Sequence, residues 1–249
     1  MTLHLLSFQP DLQRLMALAA REHLLPPGGD LGYALHAVFA ASFGDLEPKP
    51  YRLLLPGEPG GGPSGRLFAY AAAPLSELAA HADAFANPAF SAPLAIAEAA
   101  DKPMPTDFAS GTRLGFSVRI RPIQRTGAAR DGSARAQERD VFSPAQQLDG
   151  ESDHAARARL YAGWLTGQLG RDGAASVEHA TVAALSRIRL FARDRSEPTK
   201  RNRSIDGPDA TITGVLRVDD SAAFAALLAR GVGRFRAFGF GMLLLRPPN

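Results

Sequence analysis

Two tandem ferredoxin-like domains in an α+β chain are what the sequence predicts, on three observations. Strand-like and helix-like segments follow the order β-α-β-β-α-β across the second half, and the first half fits that order with one extra helix. The chain has 249 residues, 45% hydrophobic and 21% charged, enough to bury a core in one large domain or two small ones. A Pro- and Ala-rich irregular stretch, 86–112, separates the halves and sets the expected domains at 1–110 and 111–249.

In order, residues 1–8 read as a short strand and 10–22 as an amphipathic helix. The break LLPPGGD ends that helix, and Asp30 is placed to cap a second one running to about Phe43. Apolar strands follow at 51–55 and 66–72, joined by PGEPGGGPSG, and 74–85 reads as helical. The last strand of this half is poorly marked. The second half opens with a strand at 114–122 and a long polar stretch, 124–153. A helix at 154–169, an extended segment at 177–193, a strand at 211–218, a helix at 221–230 and a strand at 240–245 complete it. RNA-binding domains of the RRM type share this plan, although a fold by itself proves no function.

Composition narrows the classes. Zero cysteines exclude disulfides, thiolate metal sites and cysteine nucleophiles. No apolar run approaches the roughly 20 residues of a membrane helix, and the N-terminus lacks a basic leader with a small-residue cleavage site. The expectation is a cytoplasmic protein with no membrane partner. A net charge of +3 is too small to predict a polyanion partner. Nearly all the positive charge is arginine, with lysine only at Lys49, Lys102 and Lys200. Arginine's planar fork suits phosphates and guanine edges, but a GC-rich genome produces the same bias, and the abundant Ala, Gly and Pro fit that too.

Four stretches carry candidate chemistry. In DLGYALHAVFAASF (30–43), Leu31, Leu35, Val38 and Ser42 form one helical stripe flanked by Phe39. Tyr33 and His36 lie off that stripe, neighbours at i and i+3, with small Ala37 and Ala40 beside them. On helix geometry alone an ordinary surface Tyr and His is the commoner outcome. GVGRFRAFGFG (231–241) combines Gly231, Gly233, Gly239 and Gly241 with Arg234 and Arg236, which suits the close approach of a phosphate backbone. It matches neither a P-loop nor a dinucleotide fingerprint, and a plain glycine-rich turn is the alternative. LSRIRLFARDR (185–195) puts Arg187, Arg189, Arg193 and Arg195 on one strand face with Phe191. An arginine-plus-aromatic face over a core face is what a nucleic-acid platform requires. The fourth stretch, 119–139, carries Arg119, Arg121 and Arg125 in an arginine-rich segment that would enter or cross an RNA groove; a linker is about as frequent an origin of such a composition.

The sequence is also informative by omission. Its six histidines form no His-x-x-x-His pair, no compact acidic cluster supports a two-metal nuclease, and there is no Gly-x-Ser-x-Gly elbow. A nuclease built from these residues is expected to use no metal and no other cofactor.

Taken together, GYALH (32–36), KPMP (102–105), LGFSVRIRP (114–122), ITGVLRVDDSAAFAALLARGVG (212–233) and RFRAFGFGMLLLRP (234–247) resemble the CasE family of CRISPR repeat-processing endoribonucleases. The resemblance covers most of the chain in order, with 56–101 and 124–153 matching loosely. It implies tandem ferredoxin-like domains and metal-independent cleavage of precursor CRISPR RNA at the 3′ base of the repeat stem-loop. It further implies that the product stays bound and that the partners are the repeat hairpin and the other subunits of a type I-E surveillance complex. His36 falls on the family's catalytic histidine, Tyr33 on the tyrosine three residues before it, and Gly231, Gly233, Gly239 and Gly241 on its glycine-rich loop. The competing expectations are a subunit of a CRISPR effector complex that holds a hairpin without cutting it, a structural subunit whose arginines meet protein, and, more distantly, a nucleotide-binding enzyme.

Overall fold

A computed structural model describes residues 2–26, 30–126, 137–193 and 202–248. The first unit runs β1 (His4–Phe8), α1 (Leu12–Arg21), α2 (Gly32–Phe43), β2 (Tyr51–Leu54), β3 (Arg66–Ala71), α3 (Leu75–Phe85), α4 (Pro88–Ser91) and β4 (Ala100–Pro103). Its sheet has the order β2-β3-β1-β4, the ferredoxin-like arrangement, with β1 antiparallel to both β3 and β4. The second unit runs β5 (Arg113–Ile120), the ribbon β6 (Ile123–Thr126) and β7 (Gln137–Asp140), α5 (Asp153–Leu169), β8 (Ala175–Arg193), β9 (Asn202–Val218), α6 (Ser221–Arg230) and β10 (Leu243–Arg246). Its main sheet repeats the pattern as β10-β5-β9-β8.

Alternation along the strands explains how the units pack. Leu6, Phe8, Leu67 and Ala69 point to one face of the first sheet, where α1, α2 and α3 bury Leu15, Leu35, Val38, Phe39 and Leu78. Truncating one such aromatic, Phe39, to alanine would cost about 3–5 kcal/mol. Leu5, Phe68 and Tyr70 point to the other face and join the core of the second unit, with Phe116, Ile212, Phe224 and Leu243. The Tyr70 hydroxyl, its pKa raised by burial, donates to the carbonyl of Leu243 at 2.9 Å, so the two units are tied by polar as well as apolar contact.

Three expectations are corrected here. The stretch 86–112, read as irregular, contains α4 and the wholly exposed edge strand β4. Exposure on both faces left β4 without the alternation that marks a strand. The polar stretch after β5 folds into the β6–β7 ribbon. The strand expected at 211–218 begins at Asn202 and pairs with β8 along almost its full length, with register shifts near Val177 and Val182. Among the described residues no helix is long and apolar enough to cross a membrane.

Candidate active site

Helix α2 presents Tyr33 and His36 because its opposite face is fixed in the core. Ala34, Leu35, Val38, Phe39, Ser42 and Phe43 are buried, while Tyr33 and His36 are half-buried on the remaining face. The helix starts at Gly32, and Asp30, expected as its cap, accepts the Gly32 N–H at 2.6 Å from one residue before the cap position.

The glycine loop that follows α6 closes over this face. Phe238 stacks on Tyr33 (6.1 Å between ring centroids, planes 7° apart) and meets the His36 ring edge-on at 5.2 Å. Phe191 of β8 meets Tyr33 edge-on at 5.9 Å. By the alternation of β8, the face of Phe191 is also that of exposed Arg187 and Arg189, so the arginine strand borders the Tyr33–His36 pair. The Tyr51 hydroxyl clamps helix to loop, lying 2.6 Å from the Gly32 carbonyl and 3.1 Å from that of Ala237. Burial first, and then the charges of Asp30 and Glu47, push its pKa well up, so it remains a neutral donor.

Gly32 makes this approach possible. A Cβ there would collide with the carbonyl oxygen of Phe238. Gly32→Ala is therefore expected to push the loop off α2 and to destabilise the protein by about 1–3 kcal/mol in urea unfolding, the usual cost of overpacking. Alanine favours an isolated helix by about 1 kcal/mol, so a loss of stability here would not reflect a weakened α2.

The glycines of the loop serve the fold as much as a ligand. Gly231, Gly233, Gly239 and Gly241 all have positive φ, and a Cβ at Gly241 would strike the Val232 carbonyl. The N–H groups of Gly231 and Gly241 are engaged by Leu227 and Arg119 carbonyls, each at 2.7 Å. Neither N–H is therefore available as a donor to a phosphate.

The predicted arginines divide into two groups. Arg119 is held by protein groups: its guanidinium makes a two-bond contact with Asp209 (2.9 and 2.7 Å), reaches Asp30 at 2.8 Å and covers Phe240 at 4.5 Å. Burial opposes its charge, but the two carboxylates prevail and raise its pKa above the ordinary arginine value. Arg121 is 2% exposed and lies over the Phe235 ring at 4.9 Å, with burial lowering its pKa. Both lie against the loop, and their contacts here are with protein, unlike those of an exposed arginine. Both fall in the basic segment 119–139, but Arg119 lies within β5 and Arg121 directly after it, and nothing in the sequence showed that both are covered. Arg125, Arg187, Arg189 and Arg234 are exposed, and Arg236 is half-buried. Arg234 pairs with Glu138 at 2.8 Å, Arg187 is 3.7 Å from Asp140 and from Asp206, and Arg236 donates to the Arg230 carbonyl at 2.6 Å. The backbone of Arg193 ends β8, opposite Asn202. Arg195 and positions 127–136 of the arginine-rich segment lie outside the described residues.

A cleft of 630 Å³ opens beside Phe238, lined by Lys49, Arg230, Gly233, Arg234, Phe235 and Arg236 among others, with no carboxylate in its wall. A second cleft, 560 Å³, lies between β2 and the β8–β9 pair, but carboxylates stand in its own wall, Asp30 and Asp209 on Arg119 and Glu58 on Arg52. The partners of Lys49, Arg230 and Arg234 (Glu47, Asp172 and Glu138) lie outside the wall of the first. The cationic cleft is the one suited to a phosphodiester.

Two residues near His36 went unread in the sequence. After α2, a short 3₁₀ turn (Gly44–Leu46) reverses the chain and brings the Glu47 carboxylate to 2.6 Å from His36 Nδ1; Lys49 Nζ lies 3.7 Å from the other oxygen of Glu47. Neither sits in a periodic element, so no pattern pointed to them. Among the described residues no group of three or more His, Cys, Asp or Glu is arranged to hold a metal ion.

Comparison with known proteins agrees with this architecture. The model of a family described as CRISPR associated protein matches residues 3–247. No curated protein matches the chain. Among solved structures, the CRISPR endoribonuclease Cse3 bound to a 19-nucleotide RNA aligns at 18% identity and a TM-score of 0.63, covering 99% of this chain and 100% of that one. Cas6e from Escherichia coli K-12 aligns at 18% identity and a TM-score of 0.50 over the same shares. A chain of a CRISPR RNA-guided surveillance complex in its pre-nicking state aligns at 13% identity and a TM-score of 0.51, covering 98% and 99%. At these identities the structural likeness speaks for the fold, while the family model, spanning nearly every residue, places the protein itself: the chain belongs to the CRISPR-associated protein family.

Proposed function

We propose that the protein is an endoribonuclease that binds the CRISPR repeat stem-loop, cuts precursor CRISPR RNA at the 3′ base of the hairpin without a metal ion, and retains the mature guide RNA within a type I-E surveillance complex. The observation that carries this reading is the meeting of Tyr33 and His36 with the glycine loop beside a cleft walled by Lys49, Arg230, Arg234 and Arg236. Membership of the family and the CasE resemblance of the GYALH and C-terminal segments support it.

The chemistry needs little beyond these groups. RNA supplies its own nucleophile: the 2′-oxygen attacks the adjacent phosphorus, the P–O5′ bond breaks, and the products are a 2′,3′-cyclic phosphate and a 5′-hydroxyl. One proton leaves the 2′-hydroxyl and one arrives on the 5′-oxygen, and His36 carries one of these transfers. Tyr33 hydrogen-bonds the attacking hydroxyl or the phosphate. Arg234 or Arg236 stabilises the charge that builds on the phosphoryl oxygens. Arg187 and Arg189 run along the stem, whose narrow major groove leaves phosphates and shape as the accessible features.

The test is cleavage of an end-labelled repeat hairpin in EDTA, followed by analysis of the ends. The expected result is a single cut at the 3′ base of the stem, a downstream fragment that a polynucleotide kinase labels directly, and an upstream end that phosphatase leaves intact. Dependence on added metal, or a 5′-phosphate on the downstream fragment, would overturn the mechanism. Tight binding of the cognate hairpin with no cutting would make the protein a hairpin-holding subunit.

A further inference from the structure

We infer that Glu47 is the positioning residue of the cleavage centre, holding His36 in the Nδ1–H tautomer so that Nε2 is the nitrogen presented to the RNA. The inference rests on the nuclease reading above and names a residue that neither the glycine-loop motif nor the Tyr-x-x-His motif contains.

The geometry is that of a carboxylate–imidazole pair. Glu47 Oε1 lies 2.6 Å from His36 Nδ1, and the Glu47 side chain is 10% exposed. An ionised carboxylate only accepts hydrogen bonds, so Nδ1 is the donor and carries the proton. In the neutral ring Nε2 is then a bare acceptor, the form able to take a proton from a 2′-hydroxyl; in the protonated ring it is the donor for a leaving oxygen. The pair serves either transfer and settles which nitrogen performs it.

The surroundings hold both partners. The His36 ring is braced by the edge-on contact with Phe238, while α2 fixes its backbone. The 3₁₀ turn at Gly44–Leu46 fixes the approach of Glu47, and Lys49, which also lines the cationic cleft, sits 3.7 Å from Oε2 and balances its charge. A carboxylate nearly removed from water, with one oxygen on the imidazole and the other toward a lysine, has its orientation determined from both sides.

Glu47→Gln tests this with almost no change of shape. The amide can offer its NH₂ to Nδ1, which favours the opposite tautomer. ¹⁵N spectra of His36 in the free protein are expected to show Nδ1 protonated in the wild type and a mixed or reversed tautomer in the variant. Single-turnover cleavage is expected to fall by about 10²-fold with hairpin affinity unchanged, less than the loss on removing the ring itself. Glu47→Ala should fall at least as far. A wild-type ring protonated on Nε2 would overturn the inference, as would an altered tautomer with an undiminished cleavage rate. A wild type that shows the Nδ1–H tautomer yet cuts no cognate hairpin would instead overturn the nuclease reading, since the spectra are recorded without RNA.

Discussion

His36→Ala is expected to lower the single-turnover rate of hairpin cleavage by about 10²–10⁴-fold, the usual worth of a positioned proton-transfer group, while hairpin affinity stays at the wild-type level. The two quantities separate because the imidazole contributes little of the surface that meets the stem. In the proposed reading affinity resides in exposed cations, among them Arg187, Arg189 and Arg234, and these are untouched by the change. Packing is little affected as well: His36 is half-buried, and its ring contacts are with Phe238 and the Glu47 carboxylate. Denaturant unfolding measured beside the cleavage assay would verify this. If rate and affinity fall together, His36 is a binding group; if neither falls, the chemistry lies elsewhere on the surface.

The parts of this site that were legible in the sequence are those that repeat with a local period or carry a family motif. The stripe of α2 identified which side chains enter the core, and by subtraction left Tyr33 and His36 on the face turned away from it. Period two along 185–193 correctly grouped Phe191 with Arg187 and Arg189, because no register shift interrupts that stretch of β8. The order of elements that build the two main sheets was readable apart from β4, while α4 and the β6–β7 ribbon were not. What escaped were relations between segments distant in sequence or held in turns. Glu47 reaches His36 only because a 3₁₀ turn folds the chain back. Phe238 was not singled out in the glycine loop, and its contacts with Tyr33 and His36 depend on packing between the two units. The burial of Arg119 and Arg121 escaped as well, because a run of arginines in sequence does not show which of them neighbouring segments cover.

Arg119→Met is expected to destabilise the protein by about 3–5 kcal/mol in urea unfolding, the cost of stranding buried carboxylates that have lost their cation. Arg119 lies between Asp30, just before α2, and Asp209 on β9, with side-chain exposures of 14%, 20% and 12% for the three. Removing the guanidinium leaves two negative charges facing each other across the junction of the units, with little water to screen them. Adding Asp209→Asn to Arg119→Met should therefore recover part of the loss, although Asp209→Asn alone destabilises. An arginine that contacts RNA behaves in the opposite way. Its removal leaves unfolding nearly unchanged and lowers the slope of log K against log salt by about 1. With the variant still folded under the binding conditions, an unchanged salt slope together with the loss of stability identifies Arg119 as the pin between the α2 approach and β9. A lowered slope with normal stability would return it to the RNA-facing set.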